Sequence, residues 1–394
     1  MAACSELIIP DNLLTCSICL EEYRHPQILP CQHIFCLVCI NTHGQNSKPD
    51  LNMTCPLCRT RVSFGDIRPL WKNIAFPRKC ESLTVKLLQN DQQGIKNHGD
   101  YDCSNRSFHC LSMELPIFKE KSVLLHSFIA KLTDDTKKCC LTGMDANEQY
   151  LYIVDTKLDS STGNQKIKIF SPQGHLRSSF ALDDPTDVAI LQDGNACVVN
   201  YSQKIIHNIN TTKQQNVTRF GQQKFQVPYS VTRNRQGNIM VCDRKRRSIF
   251  IFNPHNGTFL SRISLPMCST PVYCSSSPIN DDILVSDYSC HCVYLLTPSG
   301  QNIFQYGIPG HPGADDGQLN SPCGVCFDNF GNIFIADTWN HRVVMVSPRG
   351  TLVKYIASEE DGITLPRTVV VLAETGKLAM AEQDGNIKIY QYLE

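Results

Sequence analysis

The chain has 394 residues, with 37 basic and 37 acidic side chains and no net formal charge. This balance gives no general attraction to nucleic acid or to anionic membranes. No apolar run approaches the roughly 18–20 residues of a membrane span, so we expect no membrane association. The start lacks the charged and then apolar pattern of a secretory signal, which predicts a cytoplasmic or nuclear protein. The length favours two or more domains.

The 21 cysteines are many for a reducing compartment, where clustered cysteines more often bind metal than form disulfides. Near the N-terminus, metal-binding residue types follow one another at short spacings, with three C-x2-C pairs and one C-x-H: Cys16, Cys19, Cys31, His33, Cys36, Cys39, Cys55 and Cys58. Two such pairs complete one tetrahedral Zn²⁺ site, so the series predicts two structural zinc ions. The module should fold only with metal. The spacing alone leaves open which ligands share a zinc.

This order of seven cysteines and one histidine resembles the RING finger, a small zinc-stabilised α+β domain, here over residues 12–64. The resemblance implies cross-brace connectivity. The first zinc would take Cys16, Cys19, Cys36 and Cys39, and the second would take Cys31, His33, Cys55 and Cys58.

The resemblance also implies the work of a RING-type E3 ubiquitin ligase, which holds a ubiquitin-loaded conjugating enzyme and carries no covalent ubiquitin itself. Ile18, Pro56 and Leu57 match the apolar shelf that binds this enzyme, although local packing of a tiny domain is the alternative role. Arg59 matches the family's linchpin position, where a guanidinium fork can donate to two proteins together. His43 stands where many active RING fingers have tryptophan, which predicts a lowered affinity for the conjugating enzyme.

The segment after the zinc module has two different patterns. Residues 65–90 are predicted as a flanking helical segment, because Cys80, Leu83 and Leu87 recur at helical spacing. Residues 91–120 are polar and patternless, which is typical of a linker.

Six repeats follow, each with a strand, a turn that usually contains glycine, and a second apolar strand that ends in a polar residue. The second strands end at residues 155, 200, 243, 287, 337 and 382. The last repeat has no fourth strand. The segment before the first repeat, residues 122–128, is similar in sequence to the fourth strand of the first repeat. We therefore predict an all-β, six-bladed propeller over residues 121–394, closed by its N-terminal strand.

The clearest repeat contains Asp337-Thr338-Trp339-Asn340-His341-Arg342 and resembles the NHL repeat. A RING finger joined to NHL repeats without a B-box or a coiled coil resembles the RING-NHL family of ubiquitin ligases, in its malin-like form. That resemblance implies a laforin-like phosphatase among the partners.

In this interpretation the propeller recruits a protein substrate, whose ubiquitination leads to proteasomal degradation. Arg246, Arg247, Trp339 and Arg342 are the predicted substrate-binding residues, because all follow second strands and should share one face. For Arg342 the alternative is a bracing role within its blade. The alternative function is an RNA-binding post-transcriptional regulator or a non-catalytic scaffold, which would act through the same face of the propeller.

Overall fold

The computed structural model divides the chain into two compact units, Met1–Ile117 and Phe118–Glu394. The residues that it describes are 16, 18, 26–29, 33–36, 39–40, 52–55, 57, 59, 61–63, 68–69, 118–157, 162–372 and 376–393. Within these ranges, no helix has the length and apolar character needed to cross a membrane.

The N-terminal unit contains five short strands: β1 (Pro26–Ile28), β2 (Ile34–Cys36), β3 (Asn52–Thr54), β4 (Arg61–Ser63) and β5 (Arg68–Pro69). Strand β1 pairs antiparallel with β2 and with β5, and β3 pairs with β4. Leu29, Phe35 and Ile40 are buried. The β1–β2 and β3–β4 hairpins each have a loop at the tip that carries predicted zinc ligands.

Strand β5 extends the sheet of this unit past residue 64, into the segment predicted as helical. The rest of that segment, including the predicted helical spacing of Cys80, Leu83 and Leu87, lies outside the described residues. The predicted linker does as well, except for its last three residues, which open a strand of the second unit.

The second unit is a six-bladed propeller of four-stranded antiparallel sheets, as predicted. Blades one to six begin with the inner strands β7 (Leu141–Ala146), β11 (Pro185–Ile190), β15 (Pro228–Arg233), β19 (Pro271–Ser276), β23 (Pro322–Phe327) and β27 (Pro366–Leu372). The second strands are β8 (Leu151–Asp155), β12 (Asn195–Asn200), β16 (Ile239–Asp243), β20 (Ile283–Asp287), β24 (Ile333–Asp337) and β28 (Lys377–Glu382). The third strands are β9 (Lys166–Phe170), β13 (Ile205–Asn210), β17 (Ser248–Phe252), β21 (Cys292–Leu296), β25 (Arg342–Val346) and β29 (Asn386–Leu393). The outer strands are β10 (Leu176–Ala181), β14 (Gln215–Phe220), β18 (Phe259–Ser264), β22 (Asn302–Tyr306), β26 (Leu352–Ala357) and, for blade six, β6 (Phe118–Ile129). Two single-turn 3-10 helices, Thr338–Asn340 and Glu359–Asp361, lie in loops.

Closure of the ring follows the prediction from the repeats. Each inner strand contacts the inner strands of both neighbouring blades, and β27 contacts β7. Strand β6 completes the last blade by pairing with β29, with Phe128 opposite Ile387. The fold is therefore closed by residues from the two ends of the propeller sequence.

Burial explains the residue pattern of the blades. The second strands are almost entirely buried, because their two faces lie against neighbouring blades, and they are accordingly apolar along their whole length. The outer strands expose most of their side chains and are more polar. The tight turns between first and second strands use Gly194, Gly237 and Gly331 with φ near +80°, a conformation that costs glycine little.

Candidate functional site

The second predicted zinc site is partly visible at the tips of the two N-terminal hairpins. Cys55 directly follows β3, and His33 directly precedes β2. The Cys55 Sγ lies 3.6 Å from the His33 Nδ1. Two ligands on one tetrahedral zinc, at about 2.3 Å for sulfur and about 2.1 Å for nitrogen, would be separated by about 3.6 Å. The pair therefore fits a shared zinc, as the cross-brace resemblance implies.

The other described ligands agree with a metal centre. Cys16 and Cys55 are buried, and Cys39 is half-buried. Burial lowers the pKa of His33, which favours the neutral imidazole that can bind a metal. Cys36 lies at the end of β2. The predicted ligands Cys19, Cys31 and Cys58 lie outside the described residues.

The loop between β3 and β4 positions the predicted linchpin. The backbone N–H of Arg59 donates to the Cys55 carbonyl at 2.9 Å, and Arg59 adopts the left-handed conformation with φ of 59°. Its side chain is exposed. A residue held by its backbone beside the zinc ligands, with an exposed guanidinium, suits contact with two proteins at once.

The predicted shelf is partly described. Ile18 is 36% exposed although it is aliphatic, and Leu57 is half-buried. Pro56, the third shelf residue, and His43 lie outside the described residues. An exposed isoleucine beside Cys16 leaves apolar surface available to a partner.

In the propeller, the polar residue that ends each second strand ties its own blade together. The Asp337 carboxylate accepts from the Asn320 backbone N–H and the Asn340 side chain, both at 2.7 Å. Asp243 likewise accepts from the Gln226 and Arg246 backbones. These residues are fully buried, so the repeated aspartate is explained by the need to satisfy loop N–H groups.

Blade one adds a buried lysine to this pattern, since Asp155 also accepts from the Cys140 backbone N–H at 2.9 Å. The Lys168 Nζ lies 2.6 Å from Asp155, 2.5 Å from Asp135 and 2.9 Å from the Ala130 carbonyl. Asp135, Asp155 and Cys139 together have the residue types of a metal site, but the lysine ammonium already occupies the space between the carboxylates. Burial alone would lower the pKa of Lys168, but the two carboxylates outweigh it and raise that pKa. The cluster is therefore an ion-pair network.

Arg342 is one of the predicted substrate-binding residues, and its side chain is only 9% exposed. Its Nε donates to Asp337 at 2.7 Å, its two terminal nitrogens donate to the Ala314 and Gln318 carbonyls, and its guanidinium lies over the Tyr355 ring. These contacts join the third strand of blade five to the loop that precedes the blade. They favour the bracing role over substrate binding.

Trp339, by contrast, is 53% exposed on the 3-10 helix Thr338–Asn340. Its Nε1 donates to the Tyr288 hydroxyl at 2.8 Å, which connects blades four and five at this face. Arg247 is exposed and donates to the Cys268 carbonyl, whereas Arg246 is half-buried. The indole ring of Trp339 is therefore held at one edge by a hydrogen bond and remains half exposed.

A cavity of about 590 Å³ opens on the same face of the propeller, at the mouth of the central channel. The second residue of every inner strand lines it: Thr142, Thr186, Tyr229, Val272, Cys323 and Arg367. The residues that follow four of the second strands also line it: Thr156, Tyr201, Arg244 and Tyr288. Through Tyr288, this cavity adjoins Trp339.

Sequence reasoning missed Arg367 and Arg244 as members of this cavity. In five repeats a proline opens the inner strand, and the residue after that proline faces the channel. The position of the proline therefore marks the residues that line the cavity. In blade six that residue is an arginine.

Known proteins resemble the chain in two separate parts. The family model for the C3HC4-type zinc finger, or RING finger, matches residues 16–58, and the model for the NHL repeat matches residues 319–344. The RING finger protein nhl-1 of Caenorhabditis elegans is 45% identical over 49 residues, which are 12% of this chain and 5% of that protein. The E3 ubiquitin-protein ligase rnf168 of Danio rerio is 36% identical over 92 residues, which are 20% of this chain and 18% of that protein.

The chain thus matches only a small part of the length of each relative. Among solved structures, a protein of unknown function from Bacteroides thetaiotaomicron aligns with a TM-score of 0.53 and 15% identity, over 66% of this chain and 70% of that one. This likeness supports the fold alone. Together with the closed ring of blades, the two family matches identify the chain as a C3HC4-type RING finger joined to a six-bladed propeller with an NHL repeat.

Proposed function

We propose that this chain is a RING-type E3 ubiquitin-protein ligase whose propeller recruits the protein to be ubiquitinated. The observation that carries the proposal is the N-terminal centre, where a cysteine and a histidine lie at the separation of shared zinc ligands beside the exposed Arg59. The similarity of this region to a named ubiquitin ligase supports it.

In this mechanism two zinc ions would be held by the eight predicted ligands and would supply folding, not chemistry. Ile18, Pro56 and Leu57 would bind the ubiquitin-conjugating enzyme through apolar contact. Arg59 would donate hydrogen bonds to ubiquitin and to that enzyme together, which restricts the thioester to a conformation open to attack by a substrate lysine.

The test is the discharge of ubiquitin from a panel of loaded conjugating enzymes to free lysine, with the purified chain and its Arg59→Ala variant. Acceleration by the chain that is lost in the variant, with both zincs retained, is the expected result. Failure with every panel member, by a protein that holds two zincs, would instead favour the scaffold or RNA-binding role.

The partner and the compartment are further proposals. The resemblance to the malin-like form of RING-NHL ligases favours a laforin-like phosphatase as a partner, and cysteines clustered at metal-binding spacing favour the cytoplasm and the nucleus. Co-purification of the chain with such a phosphatase from cytoplasmic extract tests the first, and microscopy of the tagged chain tests the second.

A further inference from the structure

The channel-mouth cavity has an excess of positive charge. Four charged residues line it. Lys157, Arg244 and Arg367 are cationic, and Asp184 is anionic. Among the ion pairs of the described residues, none includes Arg244 or Arg367. Within the part of the chain that the structure describes, the guanidinium groups of the cavity therefore have no carboxylate in an ion pair with them.

Arg367 is the more deeply placed of the two arginines. It donates to the Tyr229 hydroxyl at 3.0 Å and to the Cys323 sulfur at 3.3 Å, which are both neutral groups. Its Nε is buried and has no hydrogen-bond partner. Such a donor is costly to bury, and a channel-lining position filled elsewhere by Thr, Val, Cys or Tyr does not require it for packing.

Arg244 approaches the same tyrosine from the loop after β16. Its guanidinium carbon lies 5.0 Å from the centre of the Tyr229 ring, and its Nε is likewise buried without a partner. Tyr229 thus contacts one guanidinium through its ring face and the other through its hydroxyl. The two cations are brought to one place in the cavity.

We propose that this cavity binds the phosphate of a phosphorylated serine or threonine in the substrate segment. Three cations against one carboxylate leave an excess close to the charge of about −1.5 to −2 on a phosphomonoester at pH 7. The guanidinium fork also matches phosphate geometry better than an ammonium does. The proposal rests on the proposed function, because it gives the chemical class of the segment that the propeller recruits.

The surroundings favour a peptide over a nucleic acid. Arg244 and Arg367 meet at Tyr229 in one cavity, and the further cations Lys245 and Arg247 lie only beside Arg244. A nucleic acid strand needs a longer basic track along which successive phosphates can lie. Trp339, joined to the cavity through Tyr288, offers an exposed aromatic face for a residue flanking the phosphorylated one. One anion pocket beside one aromatic surface suits a short extended segment of protein.

The experiment uses the full zinc-loaded chain on an array of individual eleven-residue peptides, each printed with phosphoserine, serine or glutamate at its centre. Binders are then measured in solution by fluorescence anisotropy at fixed salt, next to a labelled single-stranded RNA pool. We expect phosphorylated forms to bind at least about tenfold more tightly than their serine forms, since charge-assisted bonds to phosphate are lost in the latter.

Variants locate the site. Arg244→Gln should weaken phosphopeptide binding by about tenfold, and Arg367→Lys, which keeps the charge but loses the fork, should weaken it as well. Arg235→Gln is the matched control, because it removes the same charge from an exposed position in the same blade, in the turn between β15 and β16, and does not line the cavity. Thermal unfolding of each variant confirms that the propeller is intact.

Equal binding of serine and phosphoserine forms, or equal losses in the Arg235 and Arg244 variants, would overturn the proposal. Tighter binding of RNA with the same dependence on Arg244 would assign the cavity to nucleic acid instead. Discharge to free lysine does not use the propeller, so it is measured in parallel. Its survival alongside failed phosphopeptide binding would reject this site while leaving the ligase activity in place.

Discussion

Lys168 and Asp155 form an ion pair at 2.6 Å in which both side chains are completely buried. Asp155 ends the second strand of blade one, the same repeat position as Asp337 in blade five, and Lys168 takes the bracing role that Arg342 has there. Blade six has a third such pair, Lys388 with Glu382 at 2.7 Å, so three blades place a cation of the third strand against the acidic residue that ends the second strand.

Removing the buried lysine should be costly. We expect Lys168→Met to lower the free energy of unfolding of the propeller by about 3–5 kcal/mol, because the buried Asp155 would be left without a cation and Asp135 would keep only Lys166. Urea denaturation followed by tryptophan fluorescence and circular dichroism measures this loss. Lys131→Met, at an exposed position, is the control and should change stability by less than about 0.5 kcal/mol. A loss no greater than the control's would mean that the network adds nothing to stability.

Substitutions of Arg342 and Trp339 should distinguish a residue that stabilises the propeller from one that binds substrate. Arg342→Ala should destabilise the propeller by about 3–5 kcal/mol, since Asp337 loses its buried partner. Trp339→Ala should cost only about 1 kcal/mol, because the ring is half exposed and has one hydrogen bond to Tyr288. The substrate-binding prediction for Trp339 requires that this variant lose substrate ubiquitination while keeping discharge to free lysine. Unchanged ubiquitination would remove Trp339 from the binding surface.

Metal removal should affect the two units differently. The purified chain should carry two zinc ions by native mass spectrometry, and a strong chelator should unfold the N-terminal unit while the propeller keeps its strand signal. The reason is that the propeller has an extensive apolar core of its own. Cys55→Ser should lose one zinc, and Cys197→Ala, in a buried propeller strand, should keep both. A chain that binds zinc in another ratio would contradict the assignment of eight ligands.

The conjugating-enzyme shelf predicts a loss of activity without a loss of metal. Ile18→Ala should slow discharge by about tenfold, corresponding to roughly 1.4 kcal/mol of lost apolar contact. Val123→Ala removes an exposed aliphatic side chain from the propeller and should leave the rate unchanged. If Ile18→Ala also releases zinc, its role is in the packing of the small domain.

Asp328 should give the propeller a measurable pH dependence. Burial raises its pKa to about 6 from an ordinary value of 3.8, although Asn332 and Phe330 donate to it. The folded state therefore takes up a proton between pH 7 and 5 that the unfolded chain does not. For this group, stability rises by roughly 1 kcal/mol as the pH falls through that window.

The matched variant for that measurement is Asp328→Asn, which cannot titrate. The stability difference between the variant and the parent chain, from urea denaturation at pH 5, 6 and 7, should shift by that amount across the series. Asp193→Asn changes an exposed carboxyl in blade two and serves as the control. A pH-independent difference for Asp328→Asn would contradict a raised pKa at this carboxyl.

The repeats made the propeller predictable, because each marks its second strand with a buried aspartate or its equivalent, and six marks at even spacing imply a closed ring. The N-terminal ligands were predictable for a similar reason, since metal geometry restricts spacing. The channel cavity was not, because its lining residues are separated by whole repeats and differ in type. Only the register of the inner strands shows that Tyr229, Cys323 and Arg367 share one ring.

Likewise, Arg342 could not be assigned from sequence. An arginine after a strand suits a binding surface as well as a brace, and the distinction depends on the Ala314 and Gln318 carbonyls, which lie in a preceding loop. Contacts to backbone carbonyls cannot be read from the sequence, because every residue type has a backbone carbonyl.

The pairing of β6 with β29 has a consequence for biosynthesis. A ribosome makes β6 before every other strand of the propeller and β29 after all of them, so the exposed aliphatic side chains of Val123, Leu124 and Leu125 remain on an unpaired strand edge throughout translation of the blades. Slow formation of such distant contacts exposes a nascent chain to aggregation and to chaperones. A truncation before residue 386 would delete β29 and leave β6 without its partner strand, so that the loss of one strand would disable the whole propeller.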